Sequence, residues 1–158
     1  MAAPTVTVRS TPVGKMLTDG YSSTFAFSRD PDLEVYEISG TPPPVEGGDP
    51  IDITTMHNNE ATTKAPQALL DYGESSWTVG YDPVMYTRIR SLINQAGSVT
   101  QYFPDGTTLA AWAYLKDFTP SELQRGERPE AEMTIVTTNW DPTNRVEALP
   151  VLTEVSGT

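Results

Sequence analysis

The chain has 158 residues and a formal net charge of −11, from 10 basic and 21 acidic side chains. That length suffices for one domain with its own core, and the acidic balance excludes a protein that grips nucleic acid through clustered lysine and arginine. The absence of cysteine excludes disulfides, thiol nucleophiles, Fe–S clusters and sulfur-bound zinc.

The 14 prolines and 11 glycines mark a loop-rich chain with short ordered segments. Residues 1–20, with Pro4, Pro12, Gly14 and Gly20, read as an N-terminal arm. Met1 to Thr11 lacks the apolar stretch of a secretory signal. Tyr21 to Phe27 alternates polar and apolar residues as a half-buried strand does. Arg29 to Asp32 is a turn, and Leu33 to Ile38 is a second strand. The proline- and glycine-rich stretch from Gly40 to Pro50 reads as a loop. Ile51 to Met56 is a short strand with Ile51 and Ile53 on one face and Asp52 and Thr54 on the other. His57 to Gly73 has no clear element and is longer than most connections in a compact domain, which makes it a candidate contact loop.

Glu74 to Val79 resumes strand alternation, with Trp77 and Val79 on one face. One helix is predicted over 83–96. Asp82 caps it, Pro83 occupies the first position, Met85, Ile89, Leu92, Ile93 and Ala96 form its apolar stripe, and Gly97 stops it. Ser98 to Phe103 and Thr107 to Phe118 flank Asp105-Gly106, a strong hairpin signal. Ala131 to Thr138 is the last clear strand, and residues 143–158 read as a polar tail with an apolar patch from Leu149 to Leu152. The expected fold is mainly β: an antiparallel sandwich or barrel of about seven strands over residues 21–142, flanked by one α-helix.

Motifs for chemistry are few. His57 is the sole histidine, and Asp52 lies too close along the chain to suggest a triad. Asp30, Asp32 and Glu34 alternate like the start of a calcium loop, but Pro31 and the missing glycine and later glutamate break the pattern, leaving a solvated acidic turn. Phosphate loops, dinucleotide fingerprints and nucleophile elbows are absent. No catalytic residue, metal site or cofactor is expected, and no run of apolar residues is long enough for a membrane anchor. Between Asp30 and Thr63 acids dominate, whereas basic residues gather at Arg88, Arg90, Arg125 and Arg128, so charge is segregated in a way that suits contacts between copies.

The order of these pieces resembles the major tail tube proteins of long-tailed bacteriophages. The resemblance runs over roughly residues 20–140. It is carried by Ile51-Asp-Ile-Thr54, the long loop, Trp77-Thr-Val79, Tyr81-Asp-Pro83 opening the helix, Tyr102-Phe-Pro-Asp-Gly106, Ala111-Trp-Ala-Tyr114 and Glu132-Met-Thr-Ile-Val136. Lambda-like, non-contractile tails are the nearest in kind, and contractile-tail inner tubes and the type VI secretion tube protein are related. The resemblance implies a structural virion protein, made in the host cytoplasm, whose six-membered rings stack into a tube around a tape-measure protein. It also implies a tail terminator and a distal tail or baseplate protein as partners, with viral DNA passing through the bore without tight binding. In that light the bore is expected to be acidic, lined by Asp52, Glu132, Glu34 and Glu74, with a formal charge of about −66 for six copies. The loop carrying His57, Asn58, Asn59, Glu60, Lys64 and Leu69 is expected to make the contact between rings and to order on assembly. The end of the chain soon after Trp140 leads to the expectation of a smooth tube, without an added immunoglobulin-like domain. Two alternatives are a tail-terminator or head–tail joining ring, and a carbohydrate-binding sandwich using Trp77, Trp112 or Trp140.

Overall fold

The computed structural model describes residues 3–7, 19–33 and 35–154. Most of the arm 1–20, Glu34 and residues 155–158 lie outside them. In chain order the elements are β1 (Thr24–Phe27), β2 (Tyr36–Thr41), β3 (Val45–Glu46), β4 (Ile51–Asp52), β5 (Lys64–Ala65), β6 (Asp71–Tyr72) and β7 (Glu74–Gly80). A 3-10 turn (Pro83–Met85) then runs into α1 (Tyr86–Leu92), followed by β8 (Gly97–Tyr102), β9 (Thr108–Pro120), β10 (Glu130–Thr137), β11 (Trp140–Asp141), β12 (Val146–Glu147) and β13 (Val151–Thr153).

Seven strands form one antiparallel sheet in the order β1-β8-β9-β10-β7-β2, with β13 also paired to β9. The chain adopts the expected mainly-β architecture, an antiparallel sheet of seven strands with one helix among the described residues. The Asp-Gly hairpin forms as expected between β8 and β9: Gly106 has φ 90°, and Asp105 accepts hydrogen bonds from the N–H and hydroxyl of Thr107. The sheet curls until β1 comes close to β2 without pairing with it. There the backbone N–H of Phe25 on β1 donates to the Glu37 carboxylate on β2 at 3.3 Å. The apolar alternation of β7 and β10 points Trp77, Val79, Ala131, Met133 and Ile135 into the curl, where they meet Phe25, Phe27, Val99 and Leu115. Met85, Ile89 and Leu92 close this core from the helix side.

The helix is shorter than its periodicity predicts. Asp82 caps the turn through its carboxylate and Val84 N–H, as expected. The helix, however, ends at Leu92, where Ile93 turns extended (ψ 130°) and Asn94 takes φ 62°. The cause is tertiary: Asn94 N–H donates to the Leu115 carbonyl at 3.0 Å and Ile93 bridges to β9. That bond removes Ile93 from the helical stripe, although its side chain still packs on the core. Gly97 opens β8 instead of stopping a helix. The asparagine, tolerant of the left-handed region, is the actual stop.

Two loop readings also change. Residues 146–153, read from sequence as polar tail, supply β12 and β13, and β13 joins the main sheet against Thr108–Ala110. Asp30, read as part of a solvated turn, is ion-paired with Arg88 of the helix, with Nε to Oδ2 at 2.8 Å.

Glu37 carries a pH signature. Burial at the sheet seam pushes its carboxyl above the usual glutamate range, and hydrogen bonds from its own N–H and that of Phe25 offset this only in part. The native state therefore holds its proton to a higher pH than the unfolded chain, and this contribution to stability falls as pH rises through that window. Glu37→Gln keeps an acceptor for Phe25 and removes the titration. Urea midpoints are expected to move in favour of the variant, relative to wild type, as pH rises from the usual glutamate range toward neutrality. A constant difference between the two proteins would contradict this assignment.

Candidate assembly surfaces

Two surfaces stand out, and both follow from strand pairing. The first is a long arm. Residues 42–73, read from sequence as two loops around a short strand, instead continue the β2–β7 pair outward as a nested antiparallel ladder. Thr41 pairs with Ser76, Val45 with Tyr72, Glu46 with Asp71, Ile51 with Ala65 and Asp52 with Lys64. Gly73 N–H donates to the Pro44 carbonyl at 2.9 Å, joining the first two stretches. Prolines 42–44 and 50 interrupt the ladder, because each lacks a donor, so the paired stretches are only two residues long. That brevity hides the ladder from a periodicity reading.

The tip is built on Asn58. Its Oδ1 accepts from Thr55 N–H at 3.0 Å, while its Nδ2 donates to the Ala61 carbonyl and the Thr63 hydroxyl at 3.0 and 2.6 Å. Ile53 N–H donates to the Thr63 carbonyl at 2.9 Å. The expected loop that orders only on assembly is therefore already paired within one chain. His57, Asn58, Asn59, Glu60, Lys64 and Leu69 are all exposed on this arm. So are large apolar side chains, including Met56 at 100% exposure and Leu69 at 80%, together with Ile51, Ile53 and Leu70. Such a row of uncovered apolar groups makes the arm a candidate contact surface. The arm is also acidic, with Glu46, Asp49, Asp52, Glu60 and Asp71 against Lys64.

The second surface is the outward face of β2, β7, β10 and the second half of β9. Register places Ser39, Thr41, Ser76, Thr78, Glu132, Thr134, Asp117 and Thr119 side by side there. Six of these surround a shallow groove of about 300 Å³. Glu74 lies on the same face, paired with Lys116 at 2.9 Å, and its carboxylate raises the pKa of that ammonium. No ion-pair partner of Glu132 occurs among the described residues. The face is short-chained, hydroxyl-rich and net negative. Its lateral edges are β2, which pairs only with β7, and Lys116–Pro120 of β9, which pairs only with β10, among the described residues.

Of the four acids singled out from sequence, Glu132 and Glu74 share this face. Asp52 does not: it stands on the arm, where the hydroxyl and N–H of Thr54 hold its carboxyl below the usual range. Period-two alternation set Asp52 opposite Ile51 and Ile53, but all three are exposed and β4 is not part of the main sheet. Glu34 lies outside the described residues. Asp117 and the serine–threonine row were missed, although the alternation of Ser76 and Thr78 with Trp77 and Val79 was readable. Among the described residues no helix is long and apolar enough to cross a membrane, and no group of three or more His, Asp or Glu is placed to hold a metal ion.

No protein-family model matches the chain, and no curated protein matches it. Solved structures do. A chain of the PVC sheath–tube complex of an extracellular contractile injection system, in its extended state, superposes with a TM-score of 0.64 at 14% identity, covering 92% of this chain and 100% of that one. A chain of the anti-feeding prophage (AFP) baseplate gives 0.60 at 12% identity, covering 89% and 99%. At these identities the likeness shows a shared fold.

Proposed function

We propose that the chain is a structural tail protein whose copies form six-membered rings that stack into a tube. The carrying observation is the projecting arm, whose apolar side chains find no cover within one chain. A full-length fold match to chains of a sheath–tube complex and a baseplate supports the reading. The polar face forms the tube wall toward the bore. Its two open edges, on opposite sides of one subunit, suit head-to-tail pairing that continues the sheet around a ring and leaves no edge exposed. The arm reaches the neighbouring ring, with its tip residues His57, Asn58, Asn59 and Glu60 leading. Tape-measure, terminator and distal tail or baseplate proteins are the remaining partners, and the role is structural, not catalytic.

Glu132 and Asp117 face passing viral DNA. Carboxylates and hydroxyls offer a polyanion no counterion-releasing contacts, so a duplex slides without being held. Glu132→Lys with Asp117→Lys changes the formal charge of a six-copy ring by about +24. Tubes of this double variant are expected to assemble and to retain short duplex DNA in a co-sedimentation assay, releasing it as salt rises, while wild-type tubes leave it in the supernatant. Equal, low retention by both would remove these residues from the bore.

A second reading keeps the tube and changes the tail. One structural neighbour comes from the sheath–tube complex of a contractile injection system, which favours an inner tube inside a sheath over the lambda-like, non-contractile tail implied by the sequence resemblance. A sheath bound to the outside of the purified tube would decide for it.

A further inference from the structure

The root of the arm contains a buried polar junction that core packing does not require. Ser75 is 1% exposed and lies on β7 one residue before the last β2–β7 pair. Its hydroxyl donates to the carbonyl of Thr41, the last residue of β2, at 2.6 Å. It accepts from Trp77 Nε1 at 3.0 Å and from Gln101 Nε2 at 3.2 Å. One donor and two acceptor positions are all that a hydroxyl has, so Ser75 is saturated and its rotamer is fixed from three sides. Gln101, 5% exposed, belongs to β8, which is not a neighbour of β7 in the sheet. The bond from Gln101 to Ser75 therefore crosses the interior of the curl and ties its far wall to the point where the arm departs. Gln101 Oε1 is buried without a hydrogen-bond partner, but the Ser75 hydroxyl is held from three sides in a low-dielectric interior, and removing it leaves the Trp77 and Gln101 donors unpaired.

We infer that Ser75 is a latch that fixes the direction of the arm relative to the body of the subunit. A ribbon held by two-residue ladders broken by prolines has little stiffness of its own, so its angle is set at its root. Both strands of the root, β2 through Thr41 and β7 through Ser75, are bonded to one hydroxyl. An arm held in its docking direction gives up less freedom on assembly than a swinging one, and preorganisation of that kind strengthens association without adding a contact. This consequence for assembly rests on the proposed role of the arm; the latch itself does not.

The chain has no cysteine, so Asn59→Cys and Glu122→Cys can carry spin labels on the arm tip and on the body. Double electron–electron resonance on dilute, unassembled protein reads the spread of their separation. A single narrow distance is expected for the otherwise native chain, and a clearly broadened one for Ser75→Ala. Gln101→Met, which removes one of the donors holding the hydroxyl, is expected to broaden it less. Val99→Ala, a core change remote from the arm root, serves as the control for lost stability and is expected to keep the narrow distance. Equal widths in all folded variants overturn the latch. In assembly assays Ser75→Ala is expected to raise the critical concentration about tenfold. Broadening without that rise would leave the latch standing and remove the arm from the assembly contact, whereas the rise without broadening would overturn the latch.

Discussion

A chain in which residues 47–70 are replaced by Asn-Gly is expected to fold and to lose polymerisation. The design follows from register: Glu46 pairs with Asp71, so a two-residue Asn-Gly turn joins β3 to β6 in the geometry a tight hairpin requires. The excised part pairs only with itself, β4 with β5, and contributes nothing to the core. Melting temperature should therefore change little. Assembly should change greatly. Ile51, Ile53, Met56, Leu69 and Leu70 leave the surface together, and full burial of one such side chain is worth about 1.5–3 kcal/mol. Even after the ordering costs of association, removal of five should raise the critical concentration by at least about 100-fold, equivalent to about 2.7 kcal/mol. Sedimentation velocity over a concentration series checks it. Polymer of the shortened chain at wild-type concentrations would show that contacts between copies lie elsewhere.

The largest effect on folding is expected at Trp77. Its ring lies inside the curl at 4% exposure, with its centroid 4.7 Å from that of Phe25, and its Nε1 bonds to Ser75. Trp77→Ala should cost about 3–5 kcal/mol, a large share of the roughly 5–15 kcal/mol that holds a domain together. Gly40 is the other half of this contact. β2 crosses directly over the indole, and a Cβ at position 40 would fall within the ring atoms of Trp77. Gly40→Ala should therefore cost about 1–3 kcal/mol through overpacking. In a Trp77→Ala background the same change should cost much less, because the obstructing ring is gone. Urea denaturation of the two single variants and the double variant measures the coupling. Strict additivity would mean that β2 does not depend on the indole for its path.

These two positions also show what sequence patterns can reveal. The alternation around Trp77 and in Glu132-Met-Thr-Ile-Val136 places strands and inward faces correctly, because one buried face imposes a period of two. Met85, Ile89 and Leu92 fall at helical spacing and are buried, whereas Ile93 shows the limit: a backbone bond from Asn94 to the sequence-distant Leu115 decides where the helix ends. The arm was invisible for a related reason. Its ladder is carried by backbone pairing across Asp52 and Lys64 or Val45 and Tyr72, and neither strand has a buried face to impose alternation. The acidic face was half legible. Glu132 and Glu74 announce themselves by strand alternation, but Asp117 joins them only because the β9–β10 register shifts between Thr134 and Ile135, which no local pattern encodes.

The central claim is that identical copies join edge to edge and ring upon ring. Electron cryomicroscopy of the purified chain, imaged alone and with a tape-measure protein, tests it most directly. The account predicts hollow tubes of stacked six-membered rings, with the arm bridging successive rings and Glu132 facing the channel. Particles that remain monomeric under both conditions, or closed single rings that never stack, would contradict it.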